Sequence, residues 1–356
     1  MTHRIWRRND DPVFRIAIAL VAVAALVGVR ATLPEPQART TFAAEIQSLS
    51  EPGGYFDTDN LISNERSYLQ VLPELEKRAV RGGVYIGVGP DQNFSYIAHV
   101  KPSIAFILDI RRDNLLLHLL FKALFAQAHT RIEYLALLFG RPVPADVNSW
   151  RDVPVARLTD YINQSAELKS VDELRARVDR IVKGFGVPVT ADDLATIDRF
   201  HRRFIKSGLA LKFESLNRPA QSYYPTYQDL LVETDGTGRQ GNYLASEETF
   251  QFVKSMQDRD RIIPVTGNLS GPSALANIGR AMAQKGETLS AFYASNVEFY
   301  LKREGSYLPF VNNLARVPRT NRSVIIRSIF NRGMWGGSVS EVEAVEALLS
   351  QSASRR

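Results

Sequence analysis

Apolar residues in this chain fall into two kinds of stretch. Some are short, almost unbroken runs at 84–88, 104–109, 262–266, 289–294 and 323–328, each bounded by glycine, proline or polar residues. Runs of that kind predict strands of a parallel sheet covered on both faces, where no strand has a wet side to mark with alternating polar positions. The other stretches are longer and periodic, and predict helices at 42–49, 92–100, 155–168, 171–182, 191–206 and 273–284, with one more ending near Leu75. Pro102 bars continuation of the 92–100 helix. The stretch 112–128 is apolar almost all round, so the helix it predicts is buried; His118 and Lys122 interrupt it and argue against a membrane span. Thr190 and Asp193 have the spacing of a capping box at the start of the 191–206 helix.

Strand, turn, helix, strand and helix in succession make a βαβ unit. The expectation is therefore an α/β fold: a Rossmann-like, doubly wound, mostly parallel sheet whose halves are 42–139 and 223–345. Between them, 140–222 reads as a helical insertion opened by Gly140-Arg141-Pro142-Val143-Pro144, and 346–356 as a polar tail. No internal repeat is present.

The N-terminus has a different character. Arg4, Arg7, Arg8 and Arg15 precede or border an apolar run at 16–29 that contains no polar residue. That run is shorter than the roughly 20 residues of a membrane span and fits the core of a signal peptide. Residues 1–31 are thus expected to be a signal peptide or an uncleaved membrane anchor, and 32–41 a proline-containing linker; the alternative is a buried helix of the folded domain. With its positive charges on the N-side, the segment predicts a domain exported, or anchored in the inner membrane, on the periplasmic side. If translation starts downstream of it, the domain is cytoplasmic.

Charge and composition narrow the chemistry. The net charge is +6, but five arginines against Asp10 and Asp11 place +3 of it in residues 1–31. The remaining +3 is too little to argue for a polyanion, so no nucleic-acid partner is expected. Absence of cysteine excludes disulfides, thiolate metal sites and a cysteine nucleophile. His3, His99, His118, His129 and His201 show no metal-ligand spacing and no metal is expected; GxSxG, Walker and HExxH motifs are likewise missing.

One motif carries a function. Gly87-Val88-Gly89-Pro90-Asp91 lies between a predicted strand and a predicted helix, where a sharp turn must approach a ligand without a Cβ in the way. The helix that follows aims its free N–H groups and positive dipole end at that ligand. Asp109 closes the next strand 20 residues after Gly89, where a carboxylate can accept both hydroxyls of a ribose. The alternative is a tight strand–helix turn, with Asp109 capping the next helix.

In these segments the chain resembles the class I S-adenosylmethionine-dependent methyltransferases, over about 55–130 and more loosely 245–330. It also resembles an uncharacterised bacterial family carrying such a domain, through Asp59-Asn60-Leu61-Ile62-Ser63-Asn64-Glu65 and Tyr85-Ile86-Gly87-Val88-Gly89-Pro90-Asp91-Gln92-Asn93. The resemblance implies S-adenosylmethionine as cofactor, with Gly87 and Gly89 beneath its methionine moiety and Asp109 on its ribose. Asp91 and Asn64 are candidate contacts beside them. Tyr85 stands where the methyltransferase motif has an acid, Asp91 where it has a third glycine, and Gln92 where a dinucleotide motif has its last glycine.

Catalytic candidates are fewer. Glu65 is the one obvious carboxylate for a general base, and Asn268 follows the 262–266 strand where amino-methyltransferases carry an Asn/Asp-Pro-Pro-aromatic motif that this chain lacks. Each also has a structural reading, Glu65 as a first-turn acid and Asn268 as the cap of the 273–284 helix. Tyr223-Tyr224-Pro225-Thr226-Tyr227 could stack on a flat substrate or pack a loop. Two functions compete: a methyltransferase-like enzyme acting on a small or lipidic molecule, and an exported or membrane-anchored, non-catalytic binding or scaffold protein on the same fold. A reporter enzyme that works only outside the cytoplasm, fused after Arg356, is expected to be active; a silent reporter with full expression would overturn the export reading.

Overall fold

The computed structural model describes residues 36–216, 221–330 and 337–353. The expected targeting segment at 1–31 lies outside them. Among the described residues, no helix is long and apolar enough to cross a membrane.

The strands are β1 Val84–Gly87, β2 Ile104–Asp109, β3 Ile262–Thr266, β4 Leu289–Ser295, β5 Arg319–Phe330 and β6 Ser338–Ala344. They form one six-stranded sheet in the order β3-β2-β1-β4-β5-β6. β1 to β5 are mutually parallel and β6 runs antiparallel to β5. All residues of β1 and β3, and all but the last of β2, are buried, as unbroken apolar runs require. Pro264, which has no N–H to donate, is tolerated because β3 is an edge strand. From β1 the chain crosses outward through β2 to β3 and then returns to the other side of β1 as β4. The carboxyl ends of β1 and β4 therefore flank a crevice, where open sheets of this kind hold ligands.

The helices, in chain order, are α1 Pro36–Leu49, α2 Leu72–Lys77, α3 Gln92–Val100, α4 Arg112–Gln127, α5 Arg131–Leu138, α6 Val155–Gln164, α7 Val171–Gly184, α8 Ala191–Ser207, α9 Tyr227–Val232, α10 Glu247–Asp258, α11 Ala274–Gln284, α12 Val297–Arg303, α13 Tyr307–Leu314 and α14 Val345–Ala353. α1 begins at Pro36, inside the expected linker, and α14 occupies most of the expected tail. α3 ends at Lys101, in the left-handed conformation, just before Pro102. α4 is buried from Asn114 to Phe125. Its two polar interruptions have partners: Lys122 donates to Gln257 O, pairs with Asp260 at 2.6 Å and lies over the Phe42 ring, and His118 bonds the β1–α3 turn. α8 opens with the Thr190–Asp193 capping box and lays Phe204 against Phe121 of α4, Phe139 and Tyr227.

β6 was not legible as a strand because it buries Ser340 and exposes Val339, so it lacks the apolar alternation that marks a half-buried strand. It is held on β5 and, from the side, by Ser67 Oγ, 2.7 Å from Ser338 Oγ and 3.0 Å from Ser340 Oγ. Arg131, fully buried, binds the chain together elsewhere. Its guanidinium donates to the carbonyls of Leu244, Ala245, Arg151 and Val153, with Glu247 3.8 Å away. Arg131→Met keeps roughly the volume but strips five carbonyls, that of Trp150 at 3.4 Å included, of their donor, and buried unpaired polar groups cost about 1–3 kcal/mol each before relaxation. We expect a loss of about 3 kcal/mol or more in denaturant unfolding, against under about 0.5 kcal/mol for the exposed Arg157→Met.

Candidate functional site

Glycine at 87 and 89 serves two different purposes. A Cβ on Gly87 would lie 1.9 Å from Asn93 Oδ1 and 2.8 Å from the Tyr85 ring, so the space it leaves is filled by the protein. Asn93 uses that space to bind the turn: its Nδ2 donates to the carbonyls of Val88, Gly89 and Pro90 at 2.9, 3.3 and 2.7 Å, and its Oδ1 accepts the Tyr85 hydroxyl at 2.8 Å. Tyr85 thus anchors the turn from the position where an acid was expected by family resemblance. Gly89 has φ +83°, a conformation that favours glycine, and its carbonyl takes a further bond from His118 Nε2 at 2.9 Å. Burial pushes the His118 imidazole down to about 4, so it stays neutral and bonds the turn without placing a charge there.

Beyond the turn lies a cavity of about 150 Å³ at the carboxyl ends of β1, β2, β3 and β4. Gly89, Asp109, Asn64 and Asn268 line it together, joined by Thr58, Asn60, Gln92 and Arg111. One wall is the segment before the first strand. Glu51 N donates to Thr266 O at 2.9 Å and Gly54 N to Ile110 O at 2.7 Å, which draws residues 51–60 across the strand ends. The Glu51 carboxylate then accepts Asn268 N, Ser273 N, Ser273 Oγ and Ala274 N within 3.0 Å and caps α11. Burial opposes its charge, but these bonds outweigh burial and hold the carboxyl below its ordinary value. Asn268, expected as that cap, instead closes its own turn by accepting Ser270 N and Oγ.

Asp109 sits at the end of β2 as expected, but it has a protein partner. Arg111 donates to it from its backbone N (2.9 Å), Nε (3.2 Å) and Nη2 (3.3 Å), while Nη1 holds the carbonyls of Thr58 and Asp59. Oδ1 therefore has two donors and Oδ2 one. A carboxylate oxygen has two lone pairs, so this geometry leaves room for one ribose hydroxyl rather than both. Two buried polar atoms on the cleft wall have no protein partner, Thr58 Oγ1 and Gln92 Oε1.

Three expected site residues do not line this cleft. Gly87 is covered by Asn93 and Tyr85. Asp91 turns inward and accepts the hydroxyls of Tyr227 and Tyr243, the latter at 3.2 Å; burial pushes its carboxyl up to about 6 despite those bonds. Tyr227, a candidate for stacking, is thereby committed to the core. Glu65 is completely buried, accepting Tyr293 OH at 2.6 Å and Ser295 Oγ; burial raises its pKa, and the bonds fix the end of β4. It is a support for Ser295, which does face the cleft, and no solvent-facing base. Arg111, Gln92 and Thr58 were the residues sequence reasoning missed. Gln92 and Asn93 stood inside the quoted motif, but their division into one wall residue and one turn anchor needs the fold.

The basic residues of α8 pair locally, Arg202 with Asp198, Arg203 with Glu214 and Arg199 with Asp113. Among the described residues, no three His, Asp or Glu side chains are placed to hold a metal ion.

A family model described as a domain of unknown function, DUF7790, matches residues 60–142 and 200–352. The match takes in the turn, Asp109, Asn268 and all six strands, and passes over 143–199, where α6 and α7 lie. No curated protein matches the chain.

The buried titratable groups set opposing pH dependences. Asp91 binds its proton at about pH 6 when folded and near 3.8 when free, so its contribution is greatest below 3.8 and is lost as pH rises through 6. His118 runs the other way: its contribution is full above 6.5 and is lost as pH falls to about 4. Asp91→Asn should therefore stabilise the protein at pH 7.5, by roughly 2–3 kcal/mol for a shift of about two units, with the gain vanishing by pH 4. Chemical denaturation across that range checks it; a gain that is constant with pH would refute the buried-charge account.

Proposed function

The chain belongs to the DUF7790 family, and from that premise we propose that it is a methyltransferase-like protein on a Rossmann-like, doubly wound sheet whose crevice binds a nucleoside-type small molecule, S-adenosylmethionine first among them. One observation carries the reading. The positive-φ turn at Gly89 and the carboxylate of Asp109 are adjacent walls of a single cavity at the strand ends, lined also by Thr58 and Gln92, whose buried Oγ1 and Oε1 have no protein partner. In this reading Gly89 admits the ligand close to the backbone, Asp109 accepts one ribose hydroxyl through Oδ2, and Gln92 Oε1 accepts a donor such as an ammonium group. Asn64 and Asn268 supply neutral polar contacts. When bound, S-adenosylmethionine would supply an electrophilic methyl group; the protein's part is to position it and exclude water.

A second reading has its own support. Of the carboxylates that line the cleft among the described residues, Asp109 is held by Arg111 and Glu304 is exposed on the rim, so neither is a base enclosed beside the strand ends. That favours a non-catalytic binding or scaffold protein on the same fold. Membrane association through residues 1–31, and export of the domain, are compatible with either reading.

Calorimetric titration of the full chain with S-adenosylmethionine separates them. We expect a dissociation constant in the micromolar range, weakened about tenfold or more in Asp109→Ala and also in Gln92→Met, which leaves the Asp109–Arg111 pair intact. No heat at millimolar ligand in a folded protein would overturn the donor site and leave the second reading.

A further inference from the structure

A second cavity, of about 480 Å³, opens beside the first and shares Asn64, Ser295, Asn296 and Tyr300 with it. Its outer wall contains three of the eight exposed large apolar side chains among the described residues, Phe299 (54 %), Tyr223 (46 %) and Ile329 (43 %). Folded proteins bury such groups unless the surface has a use, and here all three converge on one concavity. The rings are arranged edge to face: Tyr223 on Tyr224 at 4.9 Å, and Phe299 on Tyr300 at 5.4 Å. Tyr300 in turn meets Phe56, a wall of the first cleft, at 4.8 Å, so an aromatic surface runs from one cavity to the other.

The charges at this cavity cancel. Arg327 pairs with Glu343 and lies 3.7 Å from Glu298, which also takes Lys302 at 3.3 Å. Two cations face two carboxylates, and an ionic ligand would gain little Coulomb energy here while losing its hydration. At the boundary with the first cavity the groups are neutral and polar: two asparagines and Ser295, the last held at φ +54° by its bond to the buried Glu65. Non-glycine residues in that conformation are costly and persist where surrounding structure enforces them, as at ligand sites.

We propose that this second cavity binds a neutral, flat aromatic compound carrying one hydroxyl or amine, its ring between Phe299 and Tyr223 and its polar end at Asn64, Ser295 and Asn296. The proposal deepens the nucleoside-cleft reading by naming the class of the second reactant, but the binding it describes does not require a donor in the first cleft. It is tested by titrating the full chain with 2-naphthol alone, followed by the ligand's own fluorescence. The expected result is saturable binding with a dissociation constant on the order of 100 µM, reasonable for so small a ligand. Phe299→Ala and Tyr223→Ala should each weaken it about fivefold; both side chains are exposed, so neither change threatens the fold. Val143→Ala, a change at an exposed apolar residue that lines neither cavity, should bind as the parent does, and 2-naphthalenesulfonate at least about tenfold more weakly. Lack of saturation, insensitivity to Phe299→Ala, loss in Val143→Ala or equal binding of the sulfonate would each overturn the proposal. Failure of S-adenosylmethionine to bind would leave it standing.

Discussion

Everything at the site depends on how one turn is held. Between β1 and α3 the backbone reverses within a few residues; the carbonyls of Val88 and Gly89 are left without helix or strand partners, and that of Pro90 takes only a long bond, 3.4 Å, from Asn93 N. The Asn93 amide collects all three, His118 adds a second bond to Gly89, and the Tyr85 hydroxyl orients the amide. Every group in that set is buried, where an unpaired carbonyl is expensive and a satisfied network is stiff. The constraint explains both glycines at once. Gly87 makes room for the anchor, and Gly89 adopts the dihedral the anchor requires.

That division of labour shows what could be read from the sequence and what could not. The α/β class, five strand positions, the buried α4 and the capping box of α8 were legible because they follow from local periodicity and spacing. β6 was missed because its inward face carries Ser340 and its outward face Val339, so no apolar alternation marks it until its partner is known, and the short helices α12 and α13 carry too few turns to show a period. At the site, Gly89 and Asp109 could be placed from the motif alone. The inward turn of Asp91 could not, since its partners Tyr227 and Tyr243 are 136 and 152 residues away. The burial of Glu65 was hidden for the same reason: it lies beside polar residues in sequence, but Tyr293 and Ser295 enclose it in space.

Burial of these acids and imidazoles has a common logic. Asp91 and Glu65 each sit among hydroxyl donors, and burial still raises their pKa; His118 and His201, bonded to the carbonyls of Gly89 and Leu137, are both pushed down to about 4. Near neutral pH both imidazoles are therefore neutral, whereas Asp91, with its pKa near 6, is mostly ionised and carries a buried charge that its tyrosine hydroxyls only partly offset. At the cavity itself the charged groups are Asp109 and Arg111, with amide groups beside them.

The Asp109–Arg111 pair decides what kind of ligand that is. A free carboxylate at the end of β2 would present two acceptor oxygens and a full negative charge; this one has three of its four lone-pair sites taken by Arg111 and presents a nearly neutral edge. Removing Arg111 would not simply restore the acid, because Nη1 also holds the Thr58 and Asp59 carbonyls and with them the wall that closes the cavity. Closure and neutralisation are therefore one interaction. A ligand that inserts a diol must either donate a single hydrogen bond to Oδ2 or displace Arg111 and open the wall. The cavity is thereby matched to a ligand with one donor group and little charge at that point, a narrower chemistry than a motif of glycines and an acid would suggest by itself.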